Sequence, residues 1–185
     1  MMRVPGTKGS LRNLRTQGAD VRVVRSCDEA LDLALKNPTK EVVFLGVGFE
    51  TTAPSTAAII LEAEEKKVRN FSVLCFHKLV PPALRLLAES GELKVDGFLL
   101  PGHVSVVLGI MPYEFLPRDF KISCAIAGFE PLDIMEGLVE LARQVHDKDP
   151  KVSLLYARAV RPEGNTRAKK FIRRVFDEAD ARWRG

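Results

Sequence analysis

Eight side chains, at the ends of four apolar runs, have the types and spacing to do chemistry in this 185-residue chain. The run EVVFLGVG is followed by Phe49-Glu50-Thr51-Thr52 and FSVLCF by His77-Lys78. DGFLL is followed by Pro101-Gly102-His103 with Ser105 two residues on, and CAIAG by Phe129-Glu130-Pro131. Carboxylates and imidazoles move protons near neutral pH, hydroxyls orient a bound group, and a lysine holds an anion. Each stretch reads as a buried strand, then a polar cluster, then a helix start. In a parallel α/β sheet the carboxyl ends of the strands converge on one edge, so Glu50, His77, His103 and Glu130 are expected together there. The repeated Gly-Phe-Glu at 48–50 and 128–130 suggests two carboxylates facing each other across a cleft.

Each residue also has a plainer role open to it. Thr51 and Thr52 stand where a helix begins and can cap it. Glu50 has no cationic neighbour in sequence and must find water or a partner in the cleft. His77 or His103 alone would be an ordinary structural histidine, and it is their joint place at strand ends that points to a site. His146 reads as a surface residue at a helix carboxyl end. Lys78 and Glu130 can pair or bind a ligand, and Asp133 suits a helix amino end. Zinc held by His77, His103 and Glu50 has no supporting spacing, and no metal site is assigned.

Two glycine motifs lead nowhere. Gly46-x-Gly48 opens like a dinucleotide fingerprint, but Thr51 takes the third glycine position and the next strand ends on His77 rather than an acid. Gly6-Thr-Lys-Gly-Ser lacks both the preceding strand and the spacing of a phosphate loop. Cys27, Cys75 and Cys124 are odd in number and far apart, which suits reduced thiols and a cytoplasmic setting. Cys75 and Cys124 fall inside apolar runs and are expected to be buried. Cys27 sits at a helix start, where the dipole favours a thiolate, with no basic partner in sequence.

The elements that position these residues alternate. Strands are expected at 21–24, 41–47, 71–76, 96–100, 121–127 and 151–157. Helices are expected at 11–17, 28–36, 54–67, 81–90, 103–110, from Pro131 onward and over 166–181, with a loop at 112–117. Pro54, Pro81 and Pro131 suit first helical turns, where a missing N–H costs nothing. In the helix after Pro131, Leu132, Met135, Leu138, Val139, Ala142 and Val145 share one face, read as the inward one. Arg173 and Arg174 are spaced to pair with Asp177 and Glu178. Strands apolar throughout and alternating with helices give a doubly wound α/β fold, with a mainly parallel sheet and helices on both faces. A net charge of +4 from dispersed basic residues, with no aromatic-and-basic motif, argues against nucleic acid. No apolar run reaches the roughly 20 residues of a membrane span.

The strings GVGFETTAPST (46–56), FSVLCFHKLVPPAL (71–84), DGFLLPGHVS (96–105) and AGFEPLDIMEGL (127–138) resemble, in order and spacing, the HypD family of hydrogenase maturation proteins. The resemblance runs from RVPG at 3–6 to WRG at 183–185. It implies α/β domains around a cleft and a scaffold on which the Fe(CN)2CO unit of [NiFe]-hydrogenase is assembled. A small HypC-type chaperone and a HypE-type cyanide donor would be its partners. Glu50, Thr51, Thr52, His77, Lys78, His103, Ser105 and Glu130 then become candidate cleft residues that position the iron fragment. The family's [4Fe-4S] cluster and its Cys-Gly-Thr-His and Cys-Pro-x-Cys motifs have no counterpart here, so no iron or cluster ligand is carried over. The resemblance implies a central fragment: 1–20 belonging to a neighbouring domain, 21–160 the cleft-bearing domain, and 161–185 a helix leading onward. Trp183, on the inward stripe of that helix, suggests self-association. The residues alone leave an alternative open: an independent α/β enzyme acting on a small anionic substrate, with Glu50 or Glu130 as base and His103 as acid. A purely structural interaction module is the third reading.

Overall fold

A computed structural model of the chain describes residues 2–181. Eight α-helices and five strands alternate among them: α1 (Leu11–Thr16), α2 (Cys27–Lys36), β1 (Val42–Gly48), α3 (Ala53–Glu65), β2 (Phe71–His77), α4 (Val80–Glu89), β3 (Gly97–Pro101), α5 (Gly102–Leu108), α6 (Phe115–Phe120), β4 (Ser123–Ala127), α7 (Pro131–Asp147), β5 (Val152–Leu154) and α8 (Thr166–Val175). Pro54, Pro81 and Pro131 occupy first turns of α3, α4 and α7, where the ring's fixed φ helps and no hydrogen bond is lost.

All strand pairing is parallel, as the alternation requires, but the strands divide into two sheets. β1 and β2 pair from Val42↔Phe71 to Gly48↔His77. β3, β4 and β5 form the second sheet, from Gly97↔Ser123 to Pro101↔Ala127 and from Cys124↔Val152 to Ile126↔Leu154. The link between the halves is α4. It leaves β2, yet Val80, Leu84 and Ala88 pack on the second sheet's core of Leu100, Tyr113, Phe115, Leu116, Ile122, Cys124, Ile126 and Val160.

The structure corrects several sequence expectations. Residues 21–24 form no strand: the Val21 amide turns back onto the carbonyl of Ala19. A groove of about 730 Å³, walled by Val21, Val23 and Val24 on one side and by Val42, Phe44 and Leu45 on the other, separates this segment from β1. The 112–117 stretch is no loop, because the 3-10 turn Met111–Tyr113 and α6 drive Tyr113, Phe115 and Leu116 into the core. The strand expected at 151–157 is only β5, and α8 stops at Val175. Arg173 and Arg174 consequently form no ion pair among the described residues, and Trp183 lies outside them.

The largest correction concerns α7. Asp133, Gly137, Glu140 and Gln144 face inward, while Leu132 and Val139 stand 69% and 65% exposed, with Met135, Leu138 and Val145 beside them. Polar side chains can face a sheet when its backbone satisfies them. Gln144 Oε1 accepts the amides of Cys124 (3.3 Å) and Lys151 (3.1 Å), and its Nε2 is 3.2 Å from the Cys124 carbonyl and 3.0 Å from Ser153 Oγ. Ser153 in turn donates to Glu140 at 2.6 Å.

Candidate functional site

The candidate residues collect at the carboxyl ends of both sheets, in two neighbouring groups. Where β1 gives way to α3, Glu50 turns inward and is only 1% exposed. Its Oε1 accepts the Val80 amide at the amino end of α4 at 2.8 Å, while Oε2 is buried with no hydrogen-bond partner among the described residues. Burial raises the carboxyl pKa, against the lowering effect of the backbone amides. A carboxyl in this setting holds its proton to higher pH than an exposed one.

Glu50 joins the two halves. Its charge adds to the burial that pushes the Tyr113 hydroxyl up to about 12. Tyr113 lies 3.4 Å from Ser105 Oγ, and Ser105 donates to the Pro101 carbonyl at 3.0 Å. Thr51 and Thr52 are exposed. Thr52 takes the cap position of α3, but its hydroxyl donates to the carbonyl of Phe49 (3.2 Å) instead of satisfying a helix amide. The Lys78 amide donates to the Gly48 carbonyl at 2.9 Å, tying the ends of β2 and β1 together.

His77 is half-buried, and burial lowers its pKa. Its ring faces Phe176, just past α8, at 5.7 Å, and its Nδ1 stands 3.4 Å from Cys75 Sγ. Cys75 is exposed, contrary to expectation, because the short β1–β2 sheet is not covered over that side chain. Cys124 is buried as expected, its thiol pushed up to about 12, and burial with nearby Asp28 takes Cys27 to about 11.

At the end of the second sheet the exposed His103 ring packs against Phe129, tilted by 43° with centroids 4.3 Å apart. Glu130 is exposed, so the repeated Gly-Phe-Glu gives one buried and one open carboxylate, not a facing pair. Sequence reasoning missed Tyr156 and Arg158. Arg158 grips both oxygens of Asp133 (2.6 and 2.5 Å), lies 4.6 Å over the Tyr156 ring and reaches Glu130 at 4.0 Å. Asp133 Oδ2 also accepts the Glu130 amide at 3.3 Å. A Cβ at Gly128 would fall 2.8 Å from Tyr156 Cε2 and on top of the Asp133 carboxylate, so glycine is what lets the ring and the carboxylate close on this loop. Only the glycines themselves hinted at this packing in the sequence.

His77 and His103 thus stand at the ends of strands in different sheets. Among the described residues no three His, Cys, Asp or Glu side chains gather as a metal-holding group. A [4Fe-4S] cluster takes four thiolates, and the chain's three cysteines, two of them buried on separate elements, do not fit one. No described helix is long and apolar enough to cross a membrane.

Comparison with known proteins gives one consistent result. The profile of the HypD family, described as "Hydrogenase formation hypA family", matches residues 1–185. The hydrogenase maturation factor HypD of Escherichia coli (strain K12) is 46% identical over 185 residues, covering 100% of this chain and 50% of its own length. HypD2 of Bradyrhizobium diazoefficiens is 45% identical over 193 residues, with 51% of its length covered. A putative hydrogenase expression/formation protein of Methanocaldococcus jannaschii is 42% identical over 185 residues, again with 51% covered. The chain therefore spans about half the length of the curated relatives it matches.

Proposed function

The chain belongs to the HypD family of hydrogenase formation proteins, and from that premise we propose that it is the cleft-bearing part of a maturation scaffold. On this reading it positions the Fe(CN)2CO unit, as cargo, while a HypC-type chaperone and a HypE-type cyanide donor act on it. The observation that carries the reading is Glu50: a buried carboxyl with one oxygen free of any partner among the described residues, set against the amino end of α4, the helix that links the two halves. A buried polar atom left unsatisfied costs stability, and such atoms concentrate where a ligand completes them.

Within this reading each side chain has a task. Glu50 donates a hydrogen bond or proton from its free oxygen to a group on the iron fragment. Ser105 and Tyr113 hold the wall behind it, and His103, packed against Phe129 and open to solvent, takes or gives a proton at the mouth. The exposed Thr51, Thr52 and Glu130 and the half-buried Lys78 line the approach. The test is anaerobic isolation of an Escherichia coli HypD whose matching half is replaced by this chain, together with its HypC-type partner. Infrared bands of iron-bound cyanide and carbon monoxide are expected in the complex and are expected to be lost in Glu50→Gln. A complex that forms but carries no such bands, or bands unchanged in Glu50→Gln, would overturn the proposal.

A further inference from the structure

Cys75 has chemistry that the maturation reading does not use. Of the chain's three cysteines only this one is exposed. In an extended strand residues 75 and 77 share a face, and Cys75 Sγ stands 3.4 Å from His77 Nδ1. The otherwise unexplained Gly46 makes the arrangement possible. It pairs directly with Cys75 across the ladder, and a Cβ there would come within 3.0 Å of His77 Cε1 and 3.5 Å of Nδ1. Phe176 bounds the ring at 5.7 Å. Burial alone lowers the His77 pKa, so near neutral pH the ring is an uncharged acceptor, ready for a thiol proton.

We propose that Cys75 and His77 form a thiol–imidazole pair that performs thiol–disulfide exchange on a disulfide presented at the carboxyl end of β2. The His77 imidazole takes the Cys75 proton, and the thiolate attacks one sulfur of the disulfide. A new S–S bond joins Cys75 to that sulfur as the old one breaks. The bonding pair leaves with the second sulfur, which takes the proton back from His77. Two thiol electrons reduce the disulfide, so the disulfide is the oxidant and no other reagent is needed. Disulfide exchange needs only a thiolate and a sulfur acceptor.

The buried Cys27 and Cys124 make the experiment specific, because in the folded chain a thiol reagent meets Cys75 first. The chain is mixed anaerobically with oxidised glutathione, and the adduct is followed by mass spectrometry against pH. One glutathione on Cys75 is expected. At pH 7 it should form at least tenfold faster than on a peptide of residues 71–76, fall to the peptide rate in His77→Gln, and vanish in Cys75→Ser. In the wild-type chain the rate should rise with the titration of the imidazole, below the range of about 8.5 where an ordinary thiol ionises. A wild-type rate equal to the peptide's would overturn the proposal, as would a His77→Gln variant that melts like wild type and reacts as fast. If that variant does not fold, the wild-type profile decides, and a single step near the ordinary thiol value overturns it. None of these readouts depends on hydrogenase maturation.

Discussion

Replacing Glu50 by Ala and by Gln separates its roles. Expecting an exposed cleft-edge carboxylate would make its removal nearly free, but the side chain is buried and accepts the Val80 amide. Glu50→Ala leaves that amide without its acceptor, a loss of about 1–3 kcal/mol, partly offset because the orphaned Oε2 is removed too. For a chain of this size that corresponds to a melting temperature lower by roughly 2–10 °C. Glu50→Gln keeps an acceptor for Val80 and should melt close to wild type near neutral pH. The two differ further in their response to pH. Because burial raises the folded carboxyl's pKa, the native state holds this proton after the unfolded chain has released it. The stabilisation is therefore complete below the unfolded value of about 4.3 and declines as pH rises through the folded value, at no more than about 1.4 kcal/mol per pH unit. Urea unfolding from pH 4 to 8, taken as wild type minus Glu50→Gln, isolates that slope from the other carboxyls. A difference that is flat, or that rises with pH, would refute the reasoning, as would a Glu50→Ala variant as stable as wild type.

Gln144 is 2% exposed and joins α7 to β4 and β5. Gln144→Ala is expected to cost about 2–4 kcal/mol in urea unfolding by orphaning buried backbone and side-chain groups. Arg158 holds the Asp133 carboxyl below the usual carboxylate range, so the pair contributes stability above the unfolded Asp value of about 3.9 that is lost as pH falls through the folded value. Arg158→Ala should lower stability at pH 7 and weaken its acid dependence in the same titration, while Asp133→Asn should remove that dependence. The outward stripe of α7 should drive self-association: sedimentation is expected to show larger species at high concentration, and Leu132→Glu with Val139→Glu should return the chain to monomer.

Strand and helix order was legible because apolar runs, proline starts and alternation all agree, and β1 to β4 fall where those runs lie. What escaped depends on partners distant in sequence. A periodic apolar face says that α7 is amphipathic, but not that Gln144 and Glu140 would satisfy the sheet and send Leu132 and Val139 outward. VRVV at 21–24 has strand composition, yet a strand exists only with a ladder partner, and a groove separates it from β1. Glu50 was legible as a carboxylate at a strand's carboxyl end but not as a buried one, since its partner Val80 lies thirty residues on. Arg158 and Tyr156 carry no motif; they are brought in by β5 and by the glycine at 128.

The most direct test of the central claim is hydrogenase activity in an Escherichia coli strain that lacks its own HypD and carries the same protein with its matching half replaced by this chain. The maturation reading predicts that hydrogenase activity returns, and that it is lost in Glu50→Gln and in His103→Ala while both hybrid proteins accumulate to normal levels. A hybrid that folds and accumulates but restores no activity, or one that stays fully active with both residues changed, would contradict it.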